Sequence, residues 1–232
     1  MTDVTIVMPV YNEEACICDV LDTWLTELGR LNISFMLIVL NDGSKDHTAD
    51  ALEKYSSAAN ITIINKQNSG HGPTILQGYK LAVKNSAWVF QVDSDNEMEA
   101  RHFEKAWNQR KGQDAVIGIR DGRIQPLPRK VISAVSRLIV RVFYGSGIVD
   151  ANCPFRLIKA DILRPILDII PENTFAPNVA IAGFLVRNRR SICNVPIPHN
   201  DRQTGEVSIK KWKLFRAAVK SCLQIIRISF IR

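Results

Sequence analysis

Where one apolar run gives out, in the stretch FQVDSDNEME, the acids Asp93, Asp95, Glu97 and Glu99 fall at every second residue. Two carboxylates about 4 Å apart repel by roughly 4 kcal/mol at an effective dielectric of about 20. Such a cluster is either dispersed by water or arranged around a positive charge. Alternate residues of an extended segment point the same way, so Asp93 and Asp95 can present both carboxylates to one ion. Oxygen ligation suits a hard cation, Mg²⁺ or Mn²⁺, which keeps several waters and completes its shell with substrate phosphates. Glu97 is the third candidate ligand. A calcium loop fits poorly, because the turn position that needs glycine is Met98 and the preceding segment reads as a strand. A solvated acidic turn is the plain alternative, and the place of the cluster in the fold decides against it.

That place follows from the order of elements. VTIVMPV (4–10), FMLIVL (35–40), ITIIN (61–65) and AWVFQV (87–92) read as short, buried strands. Between them lie an amphipathic helix through Ile17 and Leu28 and helices near 48–57 and from Pro73 onward. A helix near 99–109, a strand at 114–119, helices near 129–144, 160–169 and 177–188, and a strand at ICNVPIP complete the pattern. The fold class is therefore α/β, a Rossmann-like, mostly parallel sheet flanked by helices. In such sheets ligands bind beyond the carboxyl ends of the strands. YNEE, NDGS, NSGHG and DSDNE all fall at those ends. Each has an ordinary reading: Asn12 as a helix cap, NDGSKD as a turn, NSGHG as a connector with His71 a loop residue. Together at four successive strand ends they point to one crevice, where Gly70 would let backbone amides approach a phosphate.

The chain has 232 residues, 46% of them hydrophobic, enough for one well-buried domain plus an appendage. No run of eighteen apolar residues occurs, and the start, MTDVTIVMPV, does not read as a signal peptide. Cys16, Cys18, Cys153, Cys193 and Cys222 lack metal spacing and read as reduced, mostly buried thiols of a cytosolic protein. Charge is distributed unevenly. Of 30 basic residues, seven lie in 209–232 with no acid, so the rest of the chain balances at 23 against 23. We divide the chain into a domain over 1–208 and a basic amphipathic helix over 209–232, with Trp212, Phe215, Val219, Cys222, Ile226 and Phe230 as its apolar stripe. Such a helix suits an anionic membrane surface, or it packs on its own domain with its basic residues outward. The neutral body offers no groove for nucleic acid, and the oligomeric state, including a homo-oligomer, stays open.

With these motifs in hand, VTIVMPVYNEE, LIVLNDGSKD, NSGHGPTILQGYKLA and QVDSDNE resemble, in order and spacing, the nucleotide-sugar-binding half of family-two glycosyltransferases with the GT-A fold. GIRDGR, RKVIS, IVDANCPFRL and HNDRQTGE are similar to the dolichyl- and polyprenyl-phosphate sugar transferase branch, so the likeness covers about residues 3–210. It implies that Pro9, Tyr11, Glu13 and Asp42 hold a nucleotide and that Asp93 and Asp95 hold a metal on its diphosphate. It further implies that Arg129, Ser133 and Arg202 face phosphates, with Arg120 nearby. Two departures stand out: Asn41 replaces the first acid of the family's usual DDGS, and Glu97 replaces a common Gln.

The expected reaction is a single displacement from a UDP- or GDP-sugar, inverting the anomeric centre. A sugar-hydroxyl acceptor needs a general base, and the ED pair and Q-x-x-R-W segment of many relatives are missing; VDANCPFR stands there instead. A polyprenyl phosphate acceptor is already anionic and needs positive charge, for which Arg120, Arg129, Arg156 and Arg202 are candidates. Asp150 is either a base or a residue that orients Arg156 or closes a turn. The expectation is a peripheral enzyme at the cytoplasmic membrane face acting on polyprenyl phosphate. Its rivals are a transferase acting on a glycan hydroxyl and a non-catalytic nucleotide-sugar-binding module. A Rossmann dehydrogenase is disfavoured, since no G-x-G-x-x-G follows the first strand.

Overall fold

The structure, a computed structural model, describes residues 1–121, 134, 137–199 and 211–231, without the side chains of 211–218. Its strands are β1 (Thr2–Val10), β2 (Phe35–Asp42), β3 (Ile61–Lys66), β4 (Ser86–Gln91), β5 (Ala115–Asp121), β6 (Arg156–Lys159) and β7 (Ile192–Pro198). They form one sheet in the order β3-β2-β1-β4-β6-β5-β7. The helices are α1 (Ile17–Gly29), α2 (Thr48–Glu53), α3 (His71–Ala82), α4 (Phe103–Asn108), a stretch over 137–143 named α5, α6 (Ala160–Ile169), α7 (Pro177–Arg187) and α8 (Lys211–Ser229).

The first half is doubly wound. β1 pairs in parallel with both β2 and β4, and β2 pairs in parallel with β3. Crossover helices join these strands, so residues 4–10 of β1 are buried throughout. The second half breaks the parallel rule once: β6 runs antiparallel to β4 and to β5, while β5 and β7 are parallel. The expectation of a mostly parallel sheet therefore holds, with one reversed strand. Helix α2 stops at Glu53, short of the expected 57, and a 3-10 turn over Ala100–His102 precedes α4. Beneath the carboxyl end of β4, Phe90 packs edge-on against Phe103 and Phe155, with centroids 4.9 and 4.7 Å away. Such pairs add about 0.5–1.5 kcal/mol each to the area they bury, which makes this the firm floor of the crevice.

Helix α8 packs on the domain. Ile225 and Ile228 are buried, Tyr144 donates its hydroxyl to the Ile225 carbonyl at 2.8 Å, and Arg187 donates to the Ser229 carbonyl at 2.7 Å. Of the expected stripe, Trp212 and Phe215 lie outside the described side chains, Val219 and Phe230 are exposed, and Cys222 and Ile226 are half-buried. The buried face is thus Ser221, Ile225 and Ile228, rotated from the expected one, and Leu223 joins the exposed side at 64% exposure. The Phe230 ring meets Phe143 of α5 edge-on at 6.1 Å, and Leu138 and Val142 of α5 are also exposed. All five cysteines are free thiols. Cys153 alone among them is buried, and burial pushes its pKa up to about 11; the other four are half-buried, against expectation.

Candidate active site

The first two strand-end loops hold each other. After β1, Asn12 takes a positive φ of 55°, so it does not cap α1 as expected; its side chain accepts the Lys45 amide at 2.8 Å. In return the Asn12 amide donates to the Ser44 hydroxyl at 3.0 Å and the Glu13 amide to the Thr48 hydroxyl at 2.9 Å. Asp46 accepts the Glu14 amide, and Glu14 accepts the His47 amide at 2.7 Å. Desolvation works against the Asp46 charge, but the bonds from Thr48 and Glu14 hold its carboxyl below the usual range. Pro9 is buried on β1, Tyr11 is half-exposed at its end, and Glu13 is buried at 6% exposure. Asn41 donates its amide to Asn65 of β3 at 2.9 Å while accepting the Ser44 hydroxyl at 2.6 Å.

Asp42, at the end of β2, organises the glycine loop. Its carboxylate accepts Lys66, the Ser69 amide at 2.8 Å and the Gly70 amide at 2.9 Å. Burial opposes the charge, but Lys66 and the loop amides outweigh it and lower the pKa. Gly70 has φ of 91°, a backbone state that favours glycine, and a Cβ on Gly72 would sit 2.2 Å from the Thr174 carbonyl. The loop is thereby drawn tight at the start of α3.

Beyond β4, Asp93 accepts His71 Nε2 at 3.0 Å and Gln91 Nε2 at 2.9 Å, both on Oδ1. Desolvation disfavours both charges of the Asp93–His71 pair. The Asp93, Asp95 and Asp42 carboxylates nevertheless raise the His71 pKa, and His71, Arg120 and Arg156 lower that of Asp93. Asp95 Oδ1 accepts the Glu97 amide at 3.1 Å, closing the acidic turn. The His71 ring thus lies against the Asp93 carboxylate, where a divalent ion would sit. The donors are carboxylate oxygens, and among the described residues no three His, Cys, Asp or Glu groups close round one point. That set fits Mg²⁺ or Mn²⁺, which takes one or two carboxylates and leaves the rest of its shell to phosphate and water. Asp93 and Asp95 would hold it. Glu97, the third candidate, has Oε2 2.9 Å from His199 Nε2, just past β7.

Asp150 forms a two-pronged ion pair with Arg120 at the end of β5, at 2.7 and 2.8 Å, and its carbonyl accepts the Cys153 amide in a turn. Burial disfavours the Arg120 charge, but Asp150 overrides it and raises the pKa. Arg156 is fully buried and donates to the carbonyls of Cys153, Asn178 and Ala151, so it does not line the crevice. Arg129, Ser133 and Arg202 lie outside the described residues. The sequence reading missed Lys66, Asn65, His199, Gln91 and Asn178. Asn65, Lys66 and Gln91 stand within two residues of the ends of β3 and β4 and His199 just past β7, so of the five only Asn178 lacked that positional signal.

Comparison with known proteins bears on this arrangement. The family model described as Glycosyl transferase family 2 matches residues 5–167. An undecaprenyl-phosphate 4-deoxy-4-formamido-L-arabinose transferase of Pseudomonas paraeruginosa is 28% identical over 216 residues, covering 91% of this chain and 61% of the relative. One of the same name from Pectobacterium carotovorum is 26% identical, covering 88% and 61%. The chain spans about 61% of the length of the curated relatives it matches. Among solved structures, glucosyl-3-phosphoglycerate synthase from Mycobacterium tuberculosis with Mn²⁺, UDP and phosphoglyceric acid superimposes with a TM-score of 0.70. It is 15% identical and covers 100% of this chain and 80% of its own. S. aureus TarS 1–349 with UDP gives 0.61 at 19% identity, covering 98% and 65%. At these identities the likeness shows the fold, which is GT-A.

Proposed function

We propose, from the premise that this chain belongs to glycosyl transferase family 2, that it moves a sugar from a nucleotide-sugar donor to a polyprenyl phosphate at a membrane surface. The relatives that match 88–91% of the chain carry undecaprenyl phosphate in their names, which supports the acceptor class. The observation that carries the reading is the Arg120–Asp150 pair. Asp150 is held by a guanidinium at 2.7 and 2.8 Å, an arrangement ill suited to taking a proton from a hydroxyl and so in favour of an acceptor that needs no base.

In this reading the two interlocked loops after β1 and β2 hold the nucleotide, while Asp42 takes the Ser69 and Gly70 amides and so fixes the glycine loop beside it. When bound at Asp93 and Asp95, Mg²⁺ or Mn²⁺ supplies positive charge against the diphosphate leaving group. Arg120 aligns the acceptor phosphate oxygen behind the sugar C1. The new C1–O bond forms as the bond to the diphosphate breaks, its electron pair leaving on the diphosphate, with inversion at C1. Incubating the protein with UDP- and GDP-sugars, Mn²⁺ and a short polyprenyl phosphate should give a glycosyl phospholipid by mass spectrometry. Nucleotide binding with no product from any donor would favour the non-catalytic module instead.

The exposed apolar residues of α5 and α8 support a membrane-facing side. Leu138, Val142, Leu223 and Phe230 stand at 61, 66, 64 and 73% exposure, flanked by Arg141, Lys220 and Arg227. No described helix is long and apolar enough to cross a membrane, so contact would be interfacial. Because α8 also covers the domain through Ile225 and Ile228, deleting 209–232 would uncover core. The cleaner test is Val142→Glu with Leu223→Glu and Phe230→Glu. These changes should abolish co-sedimentation with phosphatidylglycerol vesicles while leaving the melting temperature within a few degrees. Undiminished co-sedimentation would count against the membrane-facing side.

A further inference from the structure

Under Asp93 lies a chain of buried polar side chains that the proposed reaction does not use. Gln91 is fully buried at the end of β4, Asn178 is 4% exposed in the first turn of α7, and Tyr79 is fully buried on α3. The Tyr79 hydroxyl donates to Asn178 Oδ1 at 3.2 Å, Asn178 Nδ2 donates to Gln91 Oε1 at 2.8 Å, and Gln91 Nε2 donates to Asp93 Oδ1 at 2.9 Å. Every donor in the chain points towards Asp93. The Asp93 carboxylate can only accept, so Gln91 must turn Nε2 to it, Asn178 must turn Nδ2 to Gln91, and the Tyr79 hydroxyl donates to Asn178, which sets the sense of the whole chain. The backbone of Asn178 is fixed in turn, since its carbonyl accepts Arg156 at 2.8 Å.

We propose that Gln91 is a positioning residue for Asp93, pinning Oδ1 from below and turning Oδ2 towards the crevice for the divalent ion, and that Asn178 fixes which end of the Gln91 amide faces Asp93. The inference rests on the reading in which Asp93 holds that ion. Buried amides packed merely to fill space have no need of a common donor direction, whereas here they end on the one Asp93 oxygen that the more exposed His71 ring also meets, holding it from the buried side. The sense of the chain also makes the two isosteric changes at Asn178 unequal. Asn178→Leu removes a partner but leaves Gln91 free to keep donating to Asp93. Asn178→Asp replaces a donor by an acceptor, so the Gln91 amide turns over to donate to it and sets Oε1 against the Asp93 carboxylate.

The test is titration of Mn²⁺ with UDP and, in parallel, GDP, following the free ion by electron paramagnetic resonance, with thermal melting recorded for each variant. Gln91→Met and Asn178→Asp should each weaken Mn²⁺ binding about tenfold or more, the range seen when partners behind a metal ligand are lost. Asn178→Leu should bind within about threefold of the unchanged protein while melting at the lowest temperature of the three. Affinities that follow the melting temperatures, with Asn178→Leu weakest, would reduce the chain to packing and overturn the inference. So would unchanged Mn²⁺ binding by Gln91→Met, whatever becomes of Asn178→Asp. Failure of the unchanged protein to bind Mn²⁺ with either nucleotide would instead remove Asp93 from the metal site, and both readings with it.

Discussion

Asparagine at position 95 is expected to lower sugar transfer by about 10³-fold or more, with little change in the fold. Asp95 Oδ1 accepts the Glu97 amide at 3.1 Å, and the side-chain oxygen of asparagine can accept the same bond, so the acidic turn is kept. What disappears is one of the two negative charges available to a hard cation beside the donor diphosphate. The variant should therefore lose its response to added Mn²⁺, and the unchanged protein in a chelator should fall to the same floor. Initial rates against Mn²⁺ concentration, with a melting curve for each protein, decide the matter. An Asp95→Asn enzyme with a normal Mn²⁺ dependence, or turnover indifferent to chelation, would remove the metal from the mechanism.

The second large effect separates Arg120 from Asp150. Arg120→Met deletes the charge assigned to the acceptor phosphate and leaves Asp150, 21% exposed, without its guanidinium. A loss of about 10²-fold or more in kcat/KM for polyprenyl phosphate is expected, since truncating one member of a hydrogen-bonded charge pair costs about 2–5 kcal/mol. Asp150→Asn keeps Arg120 and one acceptor oxygen, so its loss should stay within about tenfold if the acceptor needs no base. The ratio of the two effects reads out the acceptor class. Abolished turnover in Asp150→Asn would mean that the carboxylate takes a proton, and would turn the assignment to a glycan hydroxyl.

The first half of the fold is legible in the chain because its strands are apolar on nearly every residue and its polar loops follow each strand end. β6 is harder to read. It has four residues, and Arg156 among them looks like a surface or phosphate-binding side chain. Its partners are backbone carbonyls, which leave no side-chain pattern in a sequence. Asp150 and Arg120 meet because the end of β5 and the turn before β6 converge, a juxtaposition across 30 positions that no local spacing announces. Asn12 illustrates a different ambiguity. Asparagine suits both a helix cap and a positive φ, and the fold uses the second. The acidic cluster is plain in the chain from its spacing, whereas the amides beneath it, Gln91 and Asn178, lie 87 positions apart and meet only through the packing of α7.

The reversed strand also governs how such a chain can be assembled. β4 and β5 do not pair with each other; the four residues of β6, arriving some thirty-five positions after β5, join them. During synthesis the unit from β1 to β4 can close on local crossovers, yet the flank of β4 stays unpaired until residues 156–159 leave the ribosome. An open strand edge is a template for pairing with another chain. Nascent chains that stall in this interval would therefore be the aggregation-prone species, and they are where chaperone demand should concentrate.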